Sequence, residues 1–342
     1  MSGQRLVVAL LAAVLSVPAG AQPRPPAPKP AATQPPAAAT GEPDIAYAEY
    51  QRGNYGAAFK EATRRVEEKS DPKSMTLLGE LYAEGLAVTN DDKKAADWYK
   101  LAVARGDREA MFALAMFRMG GRGGPIDRPE AARLLAEAAK LGHVVAAYDL
   151  ALLHLEGQIV RPDPARAAKL MRMAADAGNP QAQYALATFY KEGRGVTKNL
   201  DEAARLLGIA ARSGHTDAEV EYGIALFNGT GIAKNESAAA GYFLKAAQKN
   251  NPVAQNRLAW MYAAGRGIKA DPVEAVRWHE IAKAGGDSDP TLDEFMRNIK
   301  PADRAMGENK AKPWVARMAP AGPAPPFPTA PARTTRSQPV KP

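Results

Sequence analysis

Glycine recurs along this sequence with a period of 36 residues, and this period constrains the fold more than any other feature. One series consists of Gly85, Gly121, Gly157, Gly193, Gly229 and Gly265. A second series has the same period and consists of Gly106, Gly142, Gly178, Gly214, Asn250 and Gly286. Asparagine is the other residue that tolerates the left-handed conformation at a helix end. Such a period is typical of stacked supersecondary units, and here it predicts six of them: 71–106, 107–142, 143–178, 179–214, 215–250 and 251–286.

Each unit carries the signals of a helical hairpin. The first residue of every unit is polar, and these residues are Asp71, Asp107, His143, Asn179, His215 and Asn251. A polar side chain at this point caps a helix by accepting a hydrogen bond from its backbone. A second polar column follows each glycine turn and consists of Asp91, Asp127, Asp163, Asn199, Asn235 and Asp271. We therefore expect two helices per unit, the first of about 13 residues or on the order of 20 Å.

The hairpins must stack, because one hairpin cannot bury its apolar face alone. Small and large residues alternate along the predicted helices, as at Ala182, Leu186 and Ala187, and this pattern lets helices approach closely. The predicted fold is all-α, a right-handed superhelical α-solenoid of stacked helical hairpins. Residues 44–70 are expected to form a capping hairpin at one end, and residues 287–318 a capping helix that begins at Asp289–Pro290, followed by an extension.

The repeated columns closely resemble the Sel-1-like repeat, a relative of the tetratricopeptide repeat. In order they are Ala, Leu-Gly/Ala, Tyr, Gly-x-Gly-Val, Asp, Ala, Trp/Leu, Ala-Ala and Gly, and residues 179–214 resemble one nearly ideal copy. The hairpin at 44–70 is similar to a tetratricopeptide repeat. Units two and three depart from the pattern, with Arg118 and His154 in place of tyrosine and with Gln158-Ile159-Val160 in place of GRGV.

This resemblance implies an interaction scaffold. Exported bacterial members of the family include regulators of envelope signalling and factors that bind host proteins. A cysteine-rich exported subgroup is linked with β-lactam binding and carries a disulfide in each repeat. The present chain contains no cysteine, so we do not extend that chemistry to it.

Both ends of the chain differ in composition from the repeats. Residues 1–21 have the cation, apolar run and small residues of a secretory signal, with cleavage expected after Ala21. The apolar run of about a dozen residues falls short of the roughly 20 that span a bilayer, which argues against an uncleaved anchor. Residues 22–43 and 319–342 are Pro/Ala-rich and are expected to be disordered linkers. We expect a periplasmic or secreted product with no transmembrane span after cleavage.

Charge and cysteine content exclude several function classes. The net charge of +8 divides into +2 in residues 1–43 and +6 in residues 300–342, so residues 44–299 are neutral. A nucleic-acid partner is therefore not expected, although weak contact of the basic tail with an anionic surface is left open. The absence of cysteine removes thiol catalysis, disulfides and cysteine metal sites.

No catalytic motif accompanies the repeats. His143 and His215 belong to the capping column, and His279 occupies a position that is apolar or tyrosine in the other units. The sequence has no H-E-x-x-H, G-x-S-x-G or P-loop motif. We expect no catalytic residue, no metal and no cofactor.

The stretch GRG at 193–195 allows two interpretations. A glycine-rich turn before a helix can bind phosphate through its backbone N–H groups. The same three residues recur at 121–123 and 265–267, at multiples of the repeat period. We therefore interpret the glycines as a turn between helices, with Arg194 exposed. Two alternatives stay open for the recurring arginines: they are incidental, or they form a spaced basic ridge along the turns.

By analogy with tetratricopeptide repeats, the sixth and tenth residues of each unit should line the concave side of the solenoid as a partner-binding groove. We call the predicted set the first-helix face: Phe112, Met116, Tyr148, Leu152, Tyr184, Thr188, Ile224 and Trp260. An apolar strip with a polar rim is typical of a peptide interface. The alternative is that the sixth-position aromatic residues only pack between adjacent helices, which makes the tenth-position residues the stronger candidates.

Three functions follow as hypotheses. The first is a non-catalytic, monomeric scaffold that binds a protein or peptide of the cell envelope through the first-helix face. The second is a structural factor that its basic Pro/Ala-rich tails retain at the envelope. The third is a hydrolase whose site is built across repeats.

Overall fold

The computed structural model describes residues 44–318, which form sixteen α-helices and no strand. The leader, linker and tail predicted for residues 1–21, 22–43 and 319–342 lie outside the described residues. The helices are α1 (Ile45–Gln51), α2 (Tyr55–Lys69), α3 (Pro72–Glu84), α4 (Asp92–Val103), α5 (Arg108–Gly120), α6 (Arg128–Lys140), α7 (Val144–Glu156), α8 (Pro164–Asp176), α9 (Pro180–Glu192), α10 (Leu200–Arg212), α11 (Thr216–Asn228), α12 (Glu236–Gln248), α13 (Pro252–Ala264), α14 (Pro272–Ala284), α15 (Pro290–Arg297) and α16 (Pro301–Met318).

The two polar columns cap the helices as predicted. At the first helix of each repeat, the cap side chain accepts a hydrogen bond from the backbone N–H three residues on, at 2.7–3.2 Å. The second column makes the equivalent bond to the second helix at 2.9–3.1 Å. Each such bond satisfies a donor that would otherwise have no partner and stabilises the helix by about 1 kcal/mol. The first helices of the repeats all have 13 residues.

The first glycine series ends the first helix of each repeat, and the second series lies at the end of each unit, just before the next one begins. The first series has φ between 66° and 77°, and the second has φ between 80° and 90° with Asn250 at 64°. This left-handed conformation is the one that glycine and asparagine tolerate. The predicted hairpin is confirmed in all six units.

The second glycine of the Gly-x-Gly turn has a further role between repeats. A Cβ atom at Gly195 would lie 2.2 Å from the carbonyl oxygen of Pro164, at the start of the preceding repeat's second helix. The equivalent glycines, at 2.0–2.3 Å from a backbone oxygen, are Gly123, Gly231 and Gly267. No side chain fits in that space, so these turns press directly on the neighbouring repeat.

The GRG arginines also bridge neighbouring repeats. The guanidinium of Arg122 pairs with Asp92 of the preceding repeat at 2.6 Å and lies 4.4 Å from the centre of the Phe117 ring. Arg266 pairs with Glu236 of its preceding repeat in the same way. The GRG turns at 121–123 and 265–267 therefore join repeats and do not present free cations. At these two turns the ion pairs contradict a basic ridge, which was one of the two alternatives that the sequence left open.

Each helix from α1 to α13 packs against the next one along the chain, and α16 packs against α14. The large residue of the first helices is almost fully buried in most units, at Leu78, Leu114, Leu150, Leu186 and Leu258. Two continuous clusters of buried apolar side chains extend through the repeats. The predicted all-helical solenoid is confirmed, and no helix within residues 44–318 combines the length and the hydropathy needed to cross a bilayer.

The C-terminal end of the stack differs in part from the sequence expectation. Asp289 caps helix α15, and its side chain accepts hydrogen bonds from the N–H groups of Thr291 and Leu292. His279 is fully buried, and its Nε2 lies 2.8 Å from Oδ1 of Asp293 on α15. This hydrogen bond is the main cause that lowers the pKa of Asp293. The sequence did not predict the second helix, α16, which packs closely on α14 at Gly307.

Two of the first-helix caps are histidines. Nδ1 of His143 accepts a hydrogen bond from the N–H of Ala146, and Nδ1 of His215 accepts one from Ala218. A ring nitrogen accepts only when it carries no proton, so both caps require an unprotonated Nδ1. Burial lowers the pKa of His215, because a charged ring is poorly solvated there.

Substitution of Gly195 tests the close contact between repeats. Gly195→Ala should cost about 1–2 kcal/mol of unfolding free energy for the left-handed backbone and about 1–3 kcal/mol more for the overlap with Pro164. Gly178→Ala is the matched control, because Gly178 has φ of 88° and no atom within 4 Å of the added Cβ. Urea denaturation of both variants measures the difference. Equal losses would show that the turn does not press on the preceding repeat.

Acidification tests the histidine cap at residue 215. The lowered pKa means that this cap contributes stability above the unfolded pKa of about 6.5, which is lost as pH falls through the folded pKa. His215→Asn keeps a capping oxygen and removes the titrating ring, so its free energy of unfolding should fall less on acidification than that of the wild type. Asn179→Ser, a cap change without a titrating group, should retain the wild-type pH dependence. Parallel curves for the wild type and His215→Asn would contradict this role.

Candidate interaction face

The first-helix face is partly exposed along its whole length. All eight of its side chains are intermediate in burial, and they lie on α5, α7, α9, α11 and α13. The seven apolar or aromatic members pack against the buried clusters on one side. By contrast, Val220 and Asn256, which hold the sixth position in the last two units, are buried. The seven apolar or aromatic side chains therefore contact the core and also present apolar surface.

The sixth-position side chains contact the cap of the following repeat. Phe112 stacks on His143 with ring centres 4.5 Å apart, and Tyr184 stacks on His215 at 4.8 Å. In the first repeat, Thr76 donates a hydrogen bond to the capping carboxylate of Asp107 at 2.9 Å. Packing between adjacent repeats, the alternative that the sequence left open, thus accounts for part of the sixth position.

At both ends of the solenoid, a residue of a capping segment forms a hydrogen bond with the side chain at the tenth position. The Tyr50 hydroxyl of α1 donates to Oε1 of Glu80 at 2.6 Å. The indole Nε1–H of Trp260 donates to Oδ2 of Asp289 at 2.8 Å. The sequence could not reveal these contacts, because Tyr50 and Asp289 lie outside the repeat period. Between these ends, Met116, Leu152 and Ile224 are partly exposed.

In three of the six units the seventh residue is charged and lies beside the first-helix face, which was not predicted from the sequence. Burial raises the pKa of Asp149 to about 6. Glu221 forms an ion pair with Lys191 of the preceding repeat at 2.8 Å. Arg257 is exposed, and no ion pair joins it to another residue of the described chain. The third unit therefore offers an acid that is easily protonated, and the sixth offers a free cation.

A cavity of about 320 Å³ lies where α11 and α13 meet. Ile224 and Trp260, two members of the first-helix face, line it together. Phe227 and Arg257 also line it, and the sequence analysis had singled out neither. A comparison of equivalent positions in the repeats could have found them. The residues 36 positions earlier are Lys191 and Glu221, so a lysine is replaced by Phe227 and an acid by Arg257.

The described residues offer no metal site. Within residues 44–318, no three His, Asp or Glu side chains come close enough together to hold a metal ion. His154 is buried, with Nδ1 at 3.1 Å from the carbonyl oxygen of Arg161. The contacts given above for His143, His215 and His279 are likewise made to backbone or side-chain groups of the chain itself.

The sequence matches the Sel1 repeat in six consecutive segments, residues 72–107, 108–143, 144–179, 180–215, 216–251 and 252–287. A Sel1 repeat protein from Oxalobacter formigenes is 25% identical and superposes with a TM-score of 0.57, covering 70% of this chain and 95% of that protein. The protein c5321, described as a protective antigen present in uropathogenic Escherichia coli strains displaying an SLR fold, is 24% identical with a TM-score of 0.53, covering 84% of this chain and 69% of c5321.

No curated protein matches the sequence. The six matched segments nevertheless cover more than half of the chain, and their helices repeat the same hairpin with the same caps. Sel1 repeat proteins are generally protein-interaction scaffolds. The chain belongs to the Sel1 repeat family.

Proposed function

We propose that this chain is a non-catalytic scaffold that binds a peptide segment of a cell-envelope protein through the first-helix face. The observation that carries the proposal is the run of partly exposed apolar side chains at the tenth position. Met116, Leu152 and Ile224 occupy equivalent places in three repeats, and none of them is buried. Apolar surface in this arrangement favours contact with a partner.

The charges beside the first-helix face support a peptide as the partner. An interface of this kind has an apolar centre and a polar, solvent-accessible rim. Asp149, Glu221 and Arg257 each follow a sixth-position residue and stand at the rim of the apolar strip. Two of them are acidic and Arg257 is basic, so the charge changes sign along the strip and would select the register of a bound chain.

The cell envelope is proposed from the predicted export signal at residues 1–21. A scaffold role without catalysis agrees with the general role of Sel1 repeat proteins. The sixth-position rings contribute mainly by fixing the orientation of adjacent first helices, because Phe112 and Tyr184 stack on the caps of the next repeat. The tenth-position side chains would then bury most of the apolar area in a complex.

Leu152→Ala tests the proposal by photo-crosslinking in the native envelope. A photoreactive phenylalanine analogue at position 148 should form an adduct with the partner, and Leu152→Ala should reduce that adduct at least about five-fold. The reason is that full burial of a half-buried leucine contributes roughly 1 kcal/mol or more. The melting temperature should change little, because the core is supplied by other columns.

Leu101→Ala is the matched control. Leu101 lies on α4, a second helix, and is 45% exposed. This variant should leave the adduct unchanged, and a photoreactive residue placed at 101 should give none. Unchanged adduct formation in Leu152→Ala, or a large fall of its melting temperature, would contradict the proposal.

A further inference from the structure

The cavity between α11 and α13 has the size and lining of a pocket for one large apolar side chain. Its walls include Ile224, Phe227, Trp260 and Met261, and its volume is about 320 Å³. Pockets for ligands occupy roughly 300–1,000 Å³, and a dry cavity of about 150 Å³ already holds benzene. The cavity is therefore large enough for an aromatic side chain.

Two walls of the cavity are held in place by polar contacts. The indole of Trp260 is fixed by its hydrogen bond to Asp289 at 2.8 Å. The ring of Phe227 lies 4.3 Å from the guanidinium of Arg266, which itself pairs with Glu236. Because these side chains are already ordered, a guest does not have to order them, and this lowers the cost of binding.

Arg257 supplies the charge that selects the guest. Between the fourth and fifth repeats, the equivalent positions hold Lys191 and Glu221, which neutralise each other at 2.8 Å. One repeat further on, the same positions hold Phe227 and Arg257, so the acid is replaced by an arginine and the lysine by a ring. Arg257 thus lines the cavity without a carboxylate partner among the described residues.

We infer that this cavity binds the anchor residue of an acidic peptide segment of the partner, an aromatic or leucine-sized side chain next to an aspartate or glutamate. The apolar side chain enters between Ile224 and Trp260, and the neighbouring carboxylate pairs with the guanidinium of Arg257. Arginine binds carboxylates through two parallel hydrogen bonds, and it repels a cationic segment. The inference rests on the proposed function of the first-helix face and adds the chemical class of its partner.

A titration of the full chain tests the inference. The probe is the peptide acetyl-Ala-Phe-Glu-Ala-amide, and NMR of the Trp260 indole N–H and the Arg257 Nε–H detects binding. Wild type should give saturable shifts with a Kd of about 1 mM or lower. A control peptide with Gln in place of Glu should bind at least about five-fold more weakly. A second control peptide with Ala in place of Phe should give no saturable shifts.

Arg257→Gln should bind the Glu and Gln peptides equally, whereas Arg212→Gln should behave as the wild type. Arg257 and Arg212 are both exposed, so neither substitution removes a buried group. Absence of saturable Trp260 shifts, equal binding of the Glu and Gln peptides by wild type, or tighter binding of a Lys peptide would each overturn the inference. If these results occurred while the otherwise wild-type chain still formed the adduct at position 148, the scaffold function would stand and only the inference would fail. If the otherwise wild-type chain formed no adduct at position 148, the scaffold function itself would be contradicted.

Discussion

Close approach between helices at the alanine columns is the interaction on which the rest of the structure depends. The alanines in the fourth position of the first helices have no exposed surface, and they are Ala110, Ala146, Ala182, Ala218 and Ala254. A methyl group lets the neighbouring helix approach, and a large residue four positions on fills the remaining space. Because this layer fills the centre of the core, most side chains at the sixth and tenth positions pack on its edge and stay partly exposed.

Neighbouring repeats are joined by contacts that recur at fixed positions of the unit. The second glycine of the turn presses on the backbone of the preceding repeat, as Gly195 does on Pro164. The sixth-position ring stacks on the cap of the following repeat, as Tyr184 does on His215. These contacts set how adjacent first helices lie against each other. The arrangement of the first-helix face is therefore a consequence of the same contacts that hold the solenoid together.

The helices and their caps could be predicted from the sequence, because their signals are local and repeated. The bond from Asp107 to Ala110 closes within one helical turn, so the residue type and its spacing are sufficient to predict it. Helix α16 could not be predicted in this way, since residues 301–318 carry no repeated column and Pro313 lies inside the helix. Its place in the structure depends on packing against α14, where Gly307 allows contact with Val276.

The sequence by itself determined the number of repeats and the position of each cap. Only the tertiary structure decided which side chains of different units meet: Tyr50 with Glu80, Trp260 with Asp289, and Phe227 with Arg257 around one cavity. The physical reason is that a cap or a turn depends on neighbours a few residues away in the chain. A contact between repeats depends on the spacing and rotation of two packed helices, and no pattern within a single unit specifies these.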